Sequence, residues 1–200
     1  MEEVQHLEIQ LRALSLALRE RDLDTARHSL RTSALARALG EECGLDRHQL
    51  ALLELAARVH DLGKIGVPDR VLLKPGPLDA DEWVLMKQHS ESGGRVVQRL
   101  SGDHVDTVGL IVRHHHEAFD GSGYTDGLAG ENIPLLARIV ALADSYDAMA
   151  VARPYRRPKT HPEIMAILHS ESGSHFDPHL LGKFSALLKT SPLNAHPDYG

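Results

Sequence analysis

Apolar residues recur along this chain at steps of three and four, almost nowhere in strict alternation, so the pattern predicts helices throughout. The first run spans Met1 to Ala26, where Val4, Leu7, Leu11, Leu14 and Leu18 form one stripe and charged residues fill the other face. In the next helical run Asp24 and His28 stand four apart at the start, and Gly44 marks the end. Leu50 to Leu62 is an apolar helix that closes in His60 and Asp61, with Lys64 four residues past the histidine. On a continuous helix His60 and Lys64 share a face one turn apart, and Asp61 is rotated by about 100°.

Gly66, Pro68, Pro75, Gly76 and Pro77 then break the pattern and predict an ordered loop. Asp79 and Glu82 predict a capping box for a helix that carries Trp83, Met86 and His89. Taken alone, His89 reads as a polar cap, and the Ser-Glu-Ser-Gly-Gly after it would let another element approach closely. Val105 to His116 is a further helix, with Val105, Val108, Leu110, Ile111 and Val112 on its buried side and the run His114, His115, His116 at its end. The glycine-rich stretch FDGSGYTDGLAGENIP matches neither common phosphate-loop pattern.

Pro134 opens a helix through Ala152 that has Asp144 at its centre and Asp147 one turn on. His161 to Lys189 predicts two short helices joined by SGSHFDPH, with Phe176 packing on the core, and Ser191 to Gly200 predicts a frayed tail. The expected architecture is all-α: an N-terminal helical extension over 1–23, one helical domain over 24–190 and a flexible tail over 191–200.

Composition narrows the chemistry. Two hundred residues allow one domain with a self-sufficient core. Cys43 is the single cysteine, which excludes a disulfide or a thiolate zinc site and fits a reducing cytoplasm. The N-terminus lacks a signal-peptide plan, and no apolar run approaches the roughly 20 residues of a membrane span. Net charge is −6 and the basic residues are scattered, which argues against a nucleic-acid polymer as partner. The unusual count is 14 histidines.

An ionised Asp144 inside an apolar helix needs a partner, and so does a His-Asp pair at the end of another. A bound cation would meet both needs. A donor set of imidazoles and carboxylates suits Fe, Mn, Zn or Ni in an open hydrolytic site. Arg153, Arg156, Arg157 and Lys159 form a local basic patch, read either as a solvated loop or as an anion contact.

The ordered set His28, His60, Asp61, Lys64, His89, His115, His116 and Asp144, with HHEAFDGSGYTDGL and RPYR, resembles the HD-GYP family of bacterial cyclic di-GMP phosphodiesterases, a branch of the HD metal-hydrolase superfamily. The resemblance covers about Asp24 to Phe184 and implies an HD-domain-like helical bundle. It implies that His28, His60, Asp61, His89, His115, His116 and Asp144 ligate two divalent metals, Fe or Mn ahead of Zn or Ni, with Asp61 bridging them. Lys64 falls on the lysine beside the metals, Gly123 and Tyr124 on the name-giving motif, and Arg153 and Arg156 on positions associated with substrate phosphates.

Cyclic di-GMP is the implied substrate, linear pGpG the implied product, with GMP as an open second step. Thr125 stands where the motif has proline, and Asp24 where a glutamate is common, so a third metal there is not expected to be held tightly. His114 is extra and receives no role. An HD hydrolase acting on another nucleotide or a phosphomonoester would keep the ligands without the DGSGY loop and RPYR. A non-catalytic signalling module would have lost ligands that are all kept here. Only 27 residues precede His28, so control is expected through the N-terminal helix, by a regulatory protein or a sensor domain, and a homodimer is a separate expectation.

Overall fold

The three- and four-step periodicity is realised as helices in the computed structural model, which describes residues 2–151, 157–191 and 193–194, with the backbone alone at 2, 3, 5, 23, 24 and 26. Among the described residues there is no strand, only an isolated bridge between Ser172 and Phe176. Helix α1 runs Glu2–Arg21 and α2 runs Leu23–Glu42. The expected continuous run to Ala26 is therefore cut at Asp22, whose carboxylate accepts from the Thr25 amide and hydroxyl as an N-cap would. Gly44, at φ +75°, follows the end of α2 as expected.

Helix α3, Arg47–Val59, is capped by Asp46 and Gln49 and ends one residue before His60. Lys64 is thus not on a helical face with His60; it lies in a 3-10 turn, Leu62–Gly66. The stretch expected as loop also contains a short α4, Asp69–Leu72. The Asp79–Glu82 capping box is present at the start of α5, Ala80–Gln98. His89 is not a cap, because α5 continues for nine residues beyond it. Helix α6 spans Val105–His114, and on it Leu110 is exposed rather than buried. A second 3-10 turn, Gly130–Asn132, precedes α7, Leu135–Ala150, which Pro134 caps. Helices α8, His161–Ser170, and α9, Pro178–Leu188, close the order.

One cluster of buried side chains joins these helices. It includes Leu7 and Leu11 of α1, Leu39 of α2, Leu53 and Ala56 of α3, Ile111 of α6, Ile139 and Leu142 of α7, and Phe184 of α9. Fully burying one such side chain contributes roughly 1.5–3 kcal/mol. Val4, Leu7 and Leu11 of the N-terminal stripe thus share the core of the whole bundle, with Leu14 packed against it, and Leu18 is buried as well. Phe176 joins the cluster as expected. Across the bundle, α5 lies against the first 3-10 turn at Gly63, where an added Cβ would stand 1.9 Å from the carbonyl oxygen of His89 and 2.6 Å from the amide nitrogen of Gly93. The small residues near His89 serve close approach, which is the reading their composition allowed. Among the described residues no helix is long and apolar enough to cross a membrane.

Candidate metal centre

Five elements deliver polar side chains to one place. Helix α2 carries His28, the end of α3 carries His60 and Asp61, α5 carries His89, the end of α6 carries His115 and His116, and α7 carries Asp144. Their donor atoms fall into two groups, His28, His60 and Asp144 in one, His89, His115 and His116 in the other, each within 4.8 Å. Asp61 stands between them. Its Oδ2 lies 3.4 Å from His60 Nε2 and its Oδ1 3.4 Å from His89 Nε2, so one carboxylate oxygen faces each group. His60, Asp61 and His115 form a third triad that links the two.

The backbone fixes which nitrogen each ring presents. His60 Nδ1 donates to Ala57 O at 2.8 Å, His89 Nδ1 to Met86 O at 2.7 Å and His115 Nδ1 to Val112 O at 2.6 Å. With Nδ1 donating to the main chain, every Nε2 points inward. His89 Nε2 and His115 Nε2 then face each other at 3.5 Å, and His60 Nε2 is buried without a hydrogen-bond partner. Leaving one such buried polar atom unpaired costs about 1–3 kcal/mol, a cost that a bound metal would remove. The residues present fit bound metal on this ground. His28 is held differently: its Nδ1 contacts Asp147 Oδ2 at 2.7 Å and its Nε2 contacts Asp144 Oδ1 at 2.8 Å. Arg31 in turn grips both oxygens of Asp147, at 2.8 and 2.9 Å.

Electrostatics divides the centre. Burial, helped by neighbouring imidazoles, pushes His115 well below the usual histidine range and His116 down to about 3, and burial also lowers His89. These three rings are neutral near pH 7 and could serve as ligands. At the other end burial opposes charge on His60, yet Asp61 and Asp144 outweigh it and push His60 up to about 10. Asp61 and Asp144 are held well below the ordinary carboxylate range in spite of their burial, Asp61 chiefly by Lys64 and Asp144 chiefly by His28. Positive charge is demanded between those carboxylates. Lys64 supplies part of it, with Nζ 2.7 Å from Asp61 Oδ2.

The glycine-rich stretch folds over one end of this centre. Gly123 sits where a Cβ would be 2.1 Å from the Ala118 amide nitrogen, so the loop lies directly on the chain following His116. Tyr124 donates its amide to His116 O at 3.1 Å and lays its ring on the His116 ring, centroids 4.9 Å apart. Lys87, on α5, holds its Nζ over the Tyr124 ring, 5.8 Å from the ring centre. The Thr125 hydroxyl donates to Arg113 O at 3.3 Å, a tether that the motif's proline would lack.

Buried Glu117 accepts from the amides of Asp126, at 2.7 Å, and Leu128, at 3.0 Å. Asp126 is gripped by Arg113 and by His114 Nε2, and Arg113 first, then His114, hold its carboxyl far below the ordinary range. His114 is therefore an anchor of the loop.

The HD domain family model matches residues 12–180. The cyclic di-GMP phosphodiesterase response regulator RpfG of Xanthomonas campestris pv. campestris is 43% identical over 89% of this chain and 47% of its own length. A cyclic di-GMP phosphodiesterase of Thermotoga maritima is 40% identical over 90% of this chain and 49% of its own length. Among solved structures, Bd1817, an HDGYP protein from Bdellovibrio bacteriovorus, superposes with a TM-score of 0.67 at 23% identity, covering 93% of this chain and 60% of that one. The chain belongs to the HD-domain family, in its HD-GYP branch. It spans about half the length of the curated relatives it matches.

Of the residues picked from the sequence, this HD-GYP domain brings together His28, His60, Asp61, Lys64, His89, His115, His116, Asp144, Gly123 and Tyr124. Arg153 and Arg156 lie outside the described residues, as does the side chain of Asp24. Sequence reasoning passed over Arg31 and left Asp147 without a task, although Arg31 follows His28 by three residues on one helix face. Glu117, the loop's buried anchor, was legible only as the residue after the histidine run. A groove between α1, α2 and α3, lined by Leu11, Leu16, Leu30, Leu55 and Val59, contains no histidine or aspartate among the described residues.

Proposed function

We propose that this domain is a metal-dependent phosphodiesterase acting on cyclic di-GMP, with linear pGpG as first product. The observation that carries the reading is Asp61, one oxygen toward each of two imidazole groups whose Nε2 atoms converge. His28, His60 and Asp144 would hold one divalent ion, His89, His115 and His116 the other, and Asp61 would touch both. Fe or Mn suits this all-N/O set, with Zn or Ni as the alternatives. Two such ions supply a nucleophile at neutral pH and neutralise phosphate oxygens.

The chain's own groups do the rest. Lys64, beside Asp61 Oδ2, holds a proton and a positive charge where the leaving 3′ oxygen gains charge. Tyr124, stacked on His116, gives a flat wall against which a purine can lie, and Gly123 keeps that wall close to the ligands. The names of the relatives favour a cyclic dinucleotide over a phosphomonoester. The whole protein's substrates extend this proposal beyond the residues in hand.

Elemental analysis of protein purified without chelator, beside a turnover assay with cyclic di-GMP, tests it. Two retained equivalents of metal and appearance of pGpG are expected. Protein that holds two metals yet leaves cyclic di-GMP intact would refute the substrate, and protein that holds none would refute the centre. Three equivalents surviving dialysis would assign Asp24 as a further ligand, despite a reach about 1.5 Å shorter than glutamate's.

A further inference from the structure

The guanidinium of Arg21, last residue of α1, is spent entirely on the chain that carries Lys64. Its Nη1 donates to Lys64 O at 3.1 Å and to Ile65 O, its Nη2 to Val67 O and Asp69 Oδ1, and its Nε to Asp69 Oδ1 at 3.0 Å. A guanidinium has five N–H donors, and each has a partner here. Three of the acceptors are main-chain carbonyls in or just after the 3-10 turn Leu62–Gly66. Lys64 N donates to Asp61 O at 2.9 Å and Val67 N to Lys64 O at 3.0 Å, and the first half of the turn, Leu62 and Gly63, is buried against α5, so the half that lacks such packing is Ile65 and Gly66. Gly66 and Ile65 face open space or solvent.

We infer that Arg21 is a positioning residue for Lys64: it fixes the main chain of the turn so that the ammonium group reaches Asp61 and the reacting phosphate. Lys64 is thereby held at both ends, its carbonyl by Arg21 and its Nζ by Asp61. The inference rests on the role proposed above for Lys64. It also gives α1 a task beyond packing, since rotation or withdrawal of its last turn carries the guanidinium away and slackens the turn. Lysine cannot replace Arg21, because a single ammonium with three donors cannot span four acceptor groups from Lys64 to Asp69.

A misplacement of about 1 Å at a reacting group can cost on the order of 100-fold in rate, so Arg21→Ala is expected to lower kcat by about 10- to 100-fold with metal content unchanged. Arg21→Lys, which keeps the charge beside Asp69, should fold like the parent and still lose most of that rate. Hydrogen–deuterium exchange of the metal-free protein should quicken in peptides covering residues 62–67 in both variants.

The deciding measurement is a double-mutant cycle with Lys64→Ala. If Arg21 acts through Lys64, Arg21→Ala in the Lys64→Ala background costs little more. A full additional loss in that background overturns the inference and leaves the role of Lys64 standing. Parent-like turnover by Lys64→Ala alone overturns the role of Lys64, and the task assigned to Arg21 falls with it. Unaltered exchange over residues 62–67 in Arg21→Lys would also overturn the inference.

Discussion

Substituting Gly63 by alanine should disable the centre without touching a proposed ligand. The new Cβ would lie 1.9 Å from His89 O and 2.6 Å from Gly93 N, both main-chain atoms that no rotamer change can move. Raising 1.9 Å to the 3.4 Å of ordinary contact needs about 1.5 Å of separation between the 3-10 turn and α5. Asp61 precedes that turn and His89 rides on α5, and their facing atoms are 3.4 Å apart. Metal–ligand distances tolerate errors of about 0.2 Å, so the wedge exceeds the tolerance several-fold.

Overpacking of this kind costs typically 1–3 kcal/mol, which for a chain of this size lowers the melting temperature by roughly 2–12 °C. Metal affinity should fall by more than the roughly 10- to 100-fold that losing an orienting partner costs. Gly66→Ala is the control: it lies in the same turn, its φ is ordinary and its added Cβ meets nothing within 4 Å. Metal equivalents after dialysis and thermal melts of both variants are the assay. A Gly63→Ala protein that melts with the parent and keeps its metal would refute the reasoning.

Asp61→Ala should shed metal and abolish hydrolysis while circular dichroism stays helical; activity above a tenth of the parent in metal-depleted protein would contradict the bridging role. Asp147→Asn weakens the grip of Arg31 and frees the His28 ring, so the affinity for one of two metals should drop roughly 10- to 100-fold in a titration. Glu117→Gln loses charge-assisted acceptance from two loop amides, a cost of about 1.5–3 kcal/mol, and should speed hydrogen exchange at Asp126 and Leu128.

His161, whose Nδ1 meets the Tyr146 hydroxyl at 2.8 Å, is lowered by burial from its ordinary 6.5. The fold thus favours the neutral ring, so this contribution is complete above pH 6.5 and is lost as pH falls through the lowered value. The difference in melting temperature between the parent and His161→Gln should therefore shrink from pH 8 to pH 5.5, and a constant difference would exclude the linkage.

How far the fold was legible depends on whether a signal is local. Helix periodicity, the Asp79–Glu82 cap and the Val4–Leu18 stripe each live within a few residues, and the structure reproduces them. The break at Asp22 was missed because it falls past Leu18, the last apolar position of the stripe, where the mark of a new helix is a carboxylate turned back to the Thr25 amide and hydroxyl. The exposure of Leu110 was missed for another reason: on α6 the neighbours that cover Val108 and Ile111 come from other elements, and no window of sequence contains them. The clamp of Arg21 on a turn more than forty residues away is the same case.

The residues proposed as ligands were legible through the resemblance that their ordered series carries, and their aim was not. A histidine at the end of an apolar helix has a last-turn carbonyl three residues back that no intrahelical amide claims, and a ring nitrogen can take it. His60 and His115 stand at such ends and use Ala57 O and Val112 O in this way. The same bond that completes the helix leaves the opposite nitrogen bare and inward. His89 makes the equivalent bond in mid-helix, where Met86 O must use its second lone pair, so the helix end that a polar-cap reading assumes is not there. The glycines after it read as room for another element to approach, without saying which. They are the contact that brings α5 against Gly63 and so sets His89 Nε2 at 3.4 Å from Asp61, which makes backbone approach, rather than any side-chain pattern, the condition for the two groups to share one carboxylate.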